Sequence, residues 1–218
     1  MARIAHTDVR DKILCAARNR VLHYGYKKTT IDEIAMDAGI GKGTIYLYFE
    51  SKEDVALAVM AEMKRESLCM LQSIAADKDL DPLEKLKRML IFTPVTANER
   101  CVECPAAIEL IIALKPHFTK RMQPFQDLEI SLLTTVLREG VSQGLFRAMD
   151  TDSTARVLKA MVSGFLPPYP FVNGTQEISE QIKTIVELVF EGMRPTASDA
   201  RNVCQAEVLT DGGAASSN

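Results

Sequence analysis

Apolar residues recur three and four positions apart along nearly the whole of this 218-residue chain, the spacing that lines one face of an α-helix. Alternating Val/Ile/Thr runs are few, and no Asn-Gly or Asp-Gly pair separates two of them, so nothing marks a β-hairpin. The periodicity predicts an all-α fold. The length allows a buried core, and 47% apolar with 25% charged residues is ordinary for a globular chain. Runs such as 55–61 fall far short of the roughly 18 apolar residues that a membrane span needs, so no membrane partner is expected. Residues 1–10 mix Arg3, His6, Asp8 and Arg10 without an apolar signal core, which predicts a cytoplasmic location. Cys15, Cys69, Cys101, Cys104 and Cys204, irregularly spaced, are expected to be reduced thiols.

Helix punctuation divides the chain. A first helix is predicted over 8–24, burying Ile13, Leu14, Ala17 and Val21 and stopping at Gly25. Thr30-Ile-Asp-Glu33 reads as a capping box opening a short second helix that ends at Gly39. A short third helix begins near Lys42 and turns Ile45 and Phe49 inward; Ser51-Lys-Glu-Asp54 then opens a long fourth helix to about residue 75. Asp81-Pro82 starts a helix expected to fade before Asn98. Pro105 marks another start and Lys115-Pro116 another stop, before a long helix to about 143 that Pro124 opens or kinks. The last helices are predicted over 152–165 and 177–193, separated by Pro167-Pro168-Tyr-Pro170, and 195–218 reads as a flexible tail.

Charge is unevenly placed along these segments. Residues 1–52 hold nine Lys/Arg against six Asp/Glu, whereas the whole chain carries a net −3, so a basic head sits on an acidic body. Two short helices meeting at a glycine-bearing turn, inside the basic part, have the outline of a helix-turn-helix.

The residues that fill this outline are Thr30-Ile-Asp-Glu-Ile-Ala35, Ala38-Gly39, Lys42-Gly43-Thr44-Ile45-Tyr46, Tyr48-Phe49 and Ser51-Lys52-Glu53, preceded by Gly25-Tyr26. They closely resemble the DNA-binding head of the TetR family of bacterial transcriptional repressors, over roughly 8–60. Farther on, only Gly144-Leu-Phe-Arg147, Asp152 and Gly164 echo the family. The resemblance implies a DNA-binding domain over 8–54 with its motif at 30–49, and a regulatory domain over 55–194 that dimerises and encloses a small-molecule effector. Ile31, Ile34, Ala35, Ile45 and Phe49 are apolar where helices lock and are assigned to packing. Lys42, Gly43, Thr44, Tyr46 and Leu47 lie where a recognition helix reaches base edges; Lys28, Thr30, Tyr48 and Lys52 are candidate phosphate contacts. Tyr48 has an equally good reading as a packing residue, and Thr30 is a cap first. Arg18 and Arg20 lie where the family often has apolar side chains, so the first helix is either shifted or aims a charge at the DNA backbone.

In the body, Ile178, Ile182, Ile185, Val186 and Val189 share one helix face with Leu188 and Phe190 off it, more apolar breadth than one contact consumes. With Val157, Leu158, Met161, Val162 and Phe165 this predicts a two-fold four-helix bundle, hence a homodimer and a palindromic double-stranded operator. Candidate effector contacts are Met60, Met63, Met70, Ile91, Phe92, Ile108, Ile111, Phe118, Met122 and Phe125, types that line adaptable cavities. Little charge is interspersed among them, which predicts an apolar or amphipathic effector. His117 is the body's one histidine, so no metal site or cofactor is expected. Cys101-Val-Glu-Cys104 keeps open a thiol-based redox or metal sensor on the same scaffold. A helical enzyme with a cysteine nucleophile is a remote reading, since no Cys, His and acid set occurs at usable spacing.

Overall fold

A computed structural model describes residues 2–167 and 174–195, with side chains over 9–117, 121–167 and 177–195. Eight helices follow one another among the described residues: α1 (Ala2–Tyr24), α2 (Ile31–Ala38), α3 (Lys42–Tyr46), α4 (Lys52–Ala76), α5 (Pro82–Glu103), α6 (Ala106–Ser142), α7 (Thr151–Ser163) and α8 (Gly174–Met193). The all-α expectation holds. The expected tail lies outside the described residues from 196 onward, as does most of the Pro167–Pro170 break.

Three apolar clusters organise the chain. The first joins Ile13, Leu14 and Ala17 of α1 to Ile31, Ile34 and Ala35 of α2, and to Ile45, Phe49 and the start of α4. A waist follows, where Val21, Ala56, Leu57 and Met60 meet Leu110, Leu114 and Met122. The largest cluster binds α5, α6, α7 and α8 around Leu86, Leu90, Leu137, Leu158 and Ile182. Burying each such side chain contributes roughly 1.5–3 kcal/mol. The run 55–60 of α4 is buried all round because the head covers one side and α6 the other. α4 therefore belongs to both halves.

Proline and asparagine mislead the boundary reading. The helix expected to fade before Asn98 continues to Glu103, through Pro94. Asn98 is buried, its side-chain amide donating to the Pro94 and Phe165 carbonyls at 2.8 Å each, so it ties α5 to the end of α7. Nor does Lys115-Pro116 stop a helix: α6 runs unbroken through Pro116 and Pro124. Both prolines are exposed, as is Ile112 four residues before the first, so water can reach the carbonyl that Pro116 leaves unpaired. Helix α1 also starts earlier than residue 8.

The stripe on α8 resolves into two roles. Ile178, Ile182, Val186, Phe190 and Met193 are buried in the chain's own core. Phe190 thus lies on the core face rather than off it, the correct period being four residues per step. What stays unpartnered is narrower than expected: Leu188 is 67% exposed and Val157 of α7 64% exposed, with Ile185 half-buried.

Candidate nucleic-acid interface and regulatory cavity

In the head, the capping box forms in full. The Thr30 backbone N–H donates to Glu33 at 2.9 Å, and Thr30 Oγ1 accepts from the Glu33 N–H at 3.3 Å. Gly39 closes α2 in the left-handed region, at φ 67°, where a side chain would be strained. α3 then projects from a three-residue turn with Ile45 fully buried beneath it. On its outer surface lie Lys42, Gly43, Tyr46 (50% exposed) and Leu47 (80% exposed), with Thr44 half-buried beside them. Nothing lies within 4 Å of where a Gly43 side chain would begin. Thr30 and Lys28 are exposed nearby, whereas Tyr48 is half-buried against the head core.

The head's charges are mostly spoken for. Arg20 reaches α2, its Nε 2.5 Å and Nη2 3.2 Å from the Asp37 carboxylate and Nη1 2.9 Å from Glu33. Hydrogen bonding to Asp37 raises the Arg20 pKa and lowers that of Asp37; the Thr30 amide does most to lower that of Glu33. Arg18 reaches α4 instead, 2.5 and 3.2 Å from Glu66. Neither arginine shifts α1 or is free to point at DNA. Lys42 sits 2.9 Å from Asp32, which raises its pKa.

Lys52 departs from its expected phosphate seat. Its ammonium donates to the Tyr26 and Thr29 carbonyls, both at 3.0 Å, and stands 4.5 Å from the centre of the Tyr26 ring. Because three loop groups converge on it, the cation pins the α1–α2 connection to the start of α4. Buried Thr29 braces the same loop, its hydroxyl donating to the Gly25 carbonyl at 2.8 Å.

Head and body are joined at several points. Helix α6 grips the first turn of α4 through His117 to Glu53 (2.9 Å) and Arg121 to Asp54 (2.6 Å). Glu109 of α6 accepts from the Lys27 backbone N–H at 2.8 Å, and the Cys104 thiol donates to the Leu22 carbonyl at 2.8 Å. Burial pushes the Cys101 thiol up to about 11, so the thiolate that redox or soft-metal chemistry needs is suppressed at neutral pH. Among the described residues no group of three or more His, Cys, Asp or Glu could hold a metal, and no helix is long and apolar enough to cross a membrane.

Two adjacent cavities lie farther along α4 and α6. One, of about 200 Å³, opens between α4, α6 and α7 beside Met122, Phe125, Lys64, Lys115, Glu129 and Lys159. The other, of about 100 Å³, lies between α4, α5 and α6 beside Met60, Met63, Ala97, Arg100 and Cys101. Lys64 and Ile111 line both. Helix α6 thus carries Lys115 and Met122 on the cavity wall and His117 and Arg121 on the head in the same two turns.

The sequence model of the family described as "Bacterial regulatory proteins, tetR family" matches residues 13–59, the described head and the opening of α4. An uncharacterised HTH-type transcriptional regulator of Bacillus subtilis, YhgD, is 39% identical over 155 residues, covering 69% of this chain and 78% of that protein. The chain belongs to the TetR family. The HTH-type transcriptional repressor BepR of Brucella suis is 29% identical over 175 residues, 73% of this chain and 79% of BepR. A TetR/AcrR-family regulator from Thermobifida fusca superimposes with a TM-score of 0.65 at 26% identity, over 85% of this chain and 98% of its own. This TetR-family chain is accordingly a DNA-binding transcriptional regulator and not an enzyme.

Against that family background, the cavity departs from the expected effector contacts in part. Met60, Met63, Ile111, Met122 and Phe125 line the two spaces. Met70 is 50% exposed, one helical face away from the cavity. Ile91 and Phe92 pack on the large core, Ile108 is half-buried outside the cavity lining, and the Phe118 side chain lies outside the described residues. The expectation of little interspersed charge fails, because Lys64, Lys115, Glu129 and Lys159 were not among the candidates. Lys115 and Glu129 continue the helical stripe of Ile111, Met122 and Phe125, a signal that a search limited to apolar types passes over. Lys159 reaches the site only through tertiary packing.

Proposed function

We propose that this regulator is a homodimeric, ligand-responsive repressor that acts in the cytoplasm and binds a palindromic operator. A DNA-binding head over 8–54 and a regulatory domain over 55–194 would divide the work. The observation that carries this reading is that α4 is buried against α3's supporting core at one end and lines the cavity at the other. Base contacts would come from Lys42, Gly43, Thr44, Tyr46 and Leu47, whose outward surface leaves room for a groove edge, with Lys42 exchanging Asp32 for phosphate or guanine. Lys28, Thr30 and Tyr48 would contact phosphate. Lys52 is instead a positioning residue, holding the loop that carries Lys28.

Unpartnered Val157 and Leu188, with Ile185, supply the centre of a two-fold contact through α7 and α8. An amphipathic effector between α4, α5, α6 and α7 would then move α6. Through the pairs His117–Glu53 and Arg121–Asp54 it would change the separation of the two heads. A near-complete switch requires the effector to favour the released state by about 5.5 kcal/mol. The thiol-sensor reading is disfavoured by the suppressed Cys101 thiolate and by Cys104's engagement with Leu22.

Selection of bound duplexes from a random pool, followed by sequencing, tests the reading. Paired inverted half-sites about one or more DNA turns apart are expected. Enrichment of isolated half-sites, or a monomer in light scattering at the same concentration, would overturn it.

A further inference from the structure

Around the two cavities cationic side chains outnumber acidic ones: Lys64, Lys115, Lys159 and Arg100 line them, against Glu129. Glu129 is nearly inaccessible and already paired with Lys159 from α7. Lys64, on α4, makes no hydrogen bond and no ion pair within 4.0 Å among the described residues, although it is half-buried and lines both cavities. Arg100 adds a further cation beside the smaller cavity, its nearest acid being Glu66 at 3.7 Å, which Arg18 already holds more closely. Lys115 adds another at the wall of the larger one. Desolvation lowers the Lys64 pKa; Glu129 opposes that, while Lys159 and Arg100 add to it.

A half-buried cation without a close counter-ion is partly desolvated at a cost, and one added negative charge would relieve it. The smaller cavity presents mainly apolar wall to a guest, from Met60, Met63, Ala97, Cys101 and Ile111, with Ser67, Thr93, Thr96 and Arg100 as its polar lining beside Lys64. We infer that the regulatory site takes an anionic amphiphile, its carboxylate head between Lys64 and Lys159 and its apolar chain running past Ile111 toward Met60 and Met63. A positively charged guest would meet three lysines and a single occupied acid. A purely apolar one would leave Lys64 as it is.

This inference rests on the effector reading above, and the experiment separates the two. Decanoate, decanol and decyltrimethylammonium are titrated into the full chain by calorimetry, the two ions below their micelle concentrations and decanol below its solubility limit. Binding of decanoate about tenfold or more tighter than decanol is expected, the gain of one charge-assisted contact. In Lys64→Met that preference should collapse, and in Lys64→Arg it should largely return; helical circular dichroism checks that both variants fold. Equal affinity for decanol, tighter binding of the ammonium, no binding of decanoate at millimolar concentration, or an undiminished preference in Lys64→Met would each overturn the assignment. Should Lys64→Met fail to fold, retention of the preference in Lys64→Gln would overturn it and its loss would support it. Retention of the selected duplex, measured in parallel, reports on the regulatory reading alone. Lys64-dependent decanoate binding that leaves DNA affinity unchanged refutes the effector role and keeps the ligand class. DNA release by decanol as readily as by decanoate does the reverse.

Discussion

In the head, charged side chains stay at the surface and clasp one helix to the next: Arg20 to Asp37, Arg18 to Glu66, Lys42 to Asp32. In the body, a smaller number of charges are drawn inside, where Glu129 and Lys159 pair under cover and Lys64 lacks a close partner. Surface pairs are screened by water and salt and each contributes little, so the head can exchange them for DNA phosphates at small cost. Interior charges have no such substitute. They are strongly coupled to whatever enters the cavity, and a region that stores its charge inside is suited to sensing as the head is to contacting.

The sharpest way to break this contrast is Glu129→Ala. Removing the one acid of the cavity lining would leave the largely covered Lys159 without its partner and beside Lys64, and a loss of about 3 kcal/mol is expected, read as a fall in denaturation midpoint. A loss as small as that of an exposed pair would mean that the interior is wetter than its burial implies. Lys52→Met tests a cation that the head turns onto its own backbone. Stability should drop by about 1.5–3 kcal/mol because the charge-assisted bonds to Tyr26 and Thr29 vanish. The salt dependence of DNA binding should scarcely change, whereas Lys28→Ala should lower its slope by about one.

Thr44→Ala is expected to reduce affinity for the selected operator by about 1–3 kcal/mol while leaving stability and nonspecific binding nearly intact, measured by anisotropy on both duplexes. The smallest effect concerns acid. Glu33 and Asp37 have folded pKa values depressed below their ordinary 4.5 and 3.8 by hydrogen bonds from Thr30 and Arg20. Their stabilisation is complete above those ordinary values and is lost as pH falls through the depressed ones. Methyl signals of Ile31 and Ile34 should therefore broaden on acidification, and less so in Arg20→Met, which starts without the clasp.

How far the sequence could be read differs between the two regions for the same reason. The capping box at Thr30 and Glu33, the turn at Gly39 and the inward Ile45 are local, each decided within a few residues, and each formed where the pattern placed it. Lys52 escaped because its partners are 26 and 23 residues earlier. In the body, Pro116 and Asn98 carry strong local signals to stop, yet α5 and α6 continue because packing along their lengths outweighs the loss of single backbone bonds. Met70 looked like a cavity residue by type, and only its helical face, which depends on what α4 packs against, put it in solvent.

Taken by itself, the sequence determined the all-α class, the head with its short second and third helices, and the family, because caps, periodicity and contiguous motifs are near-neighbour properties. Tertiary structure alone decided which apolar stripe of α8 is core and which is free, where Lys52 points, and that Lys64, Glu129 and Lys159 meet. Those three come from α4, α6 and α7, and no local rule reports the distance between side chains that far apart in the chain.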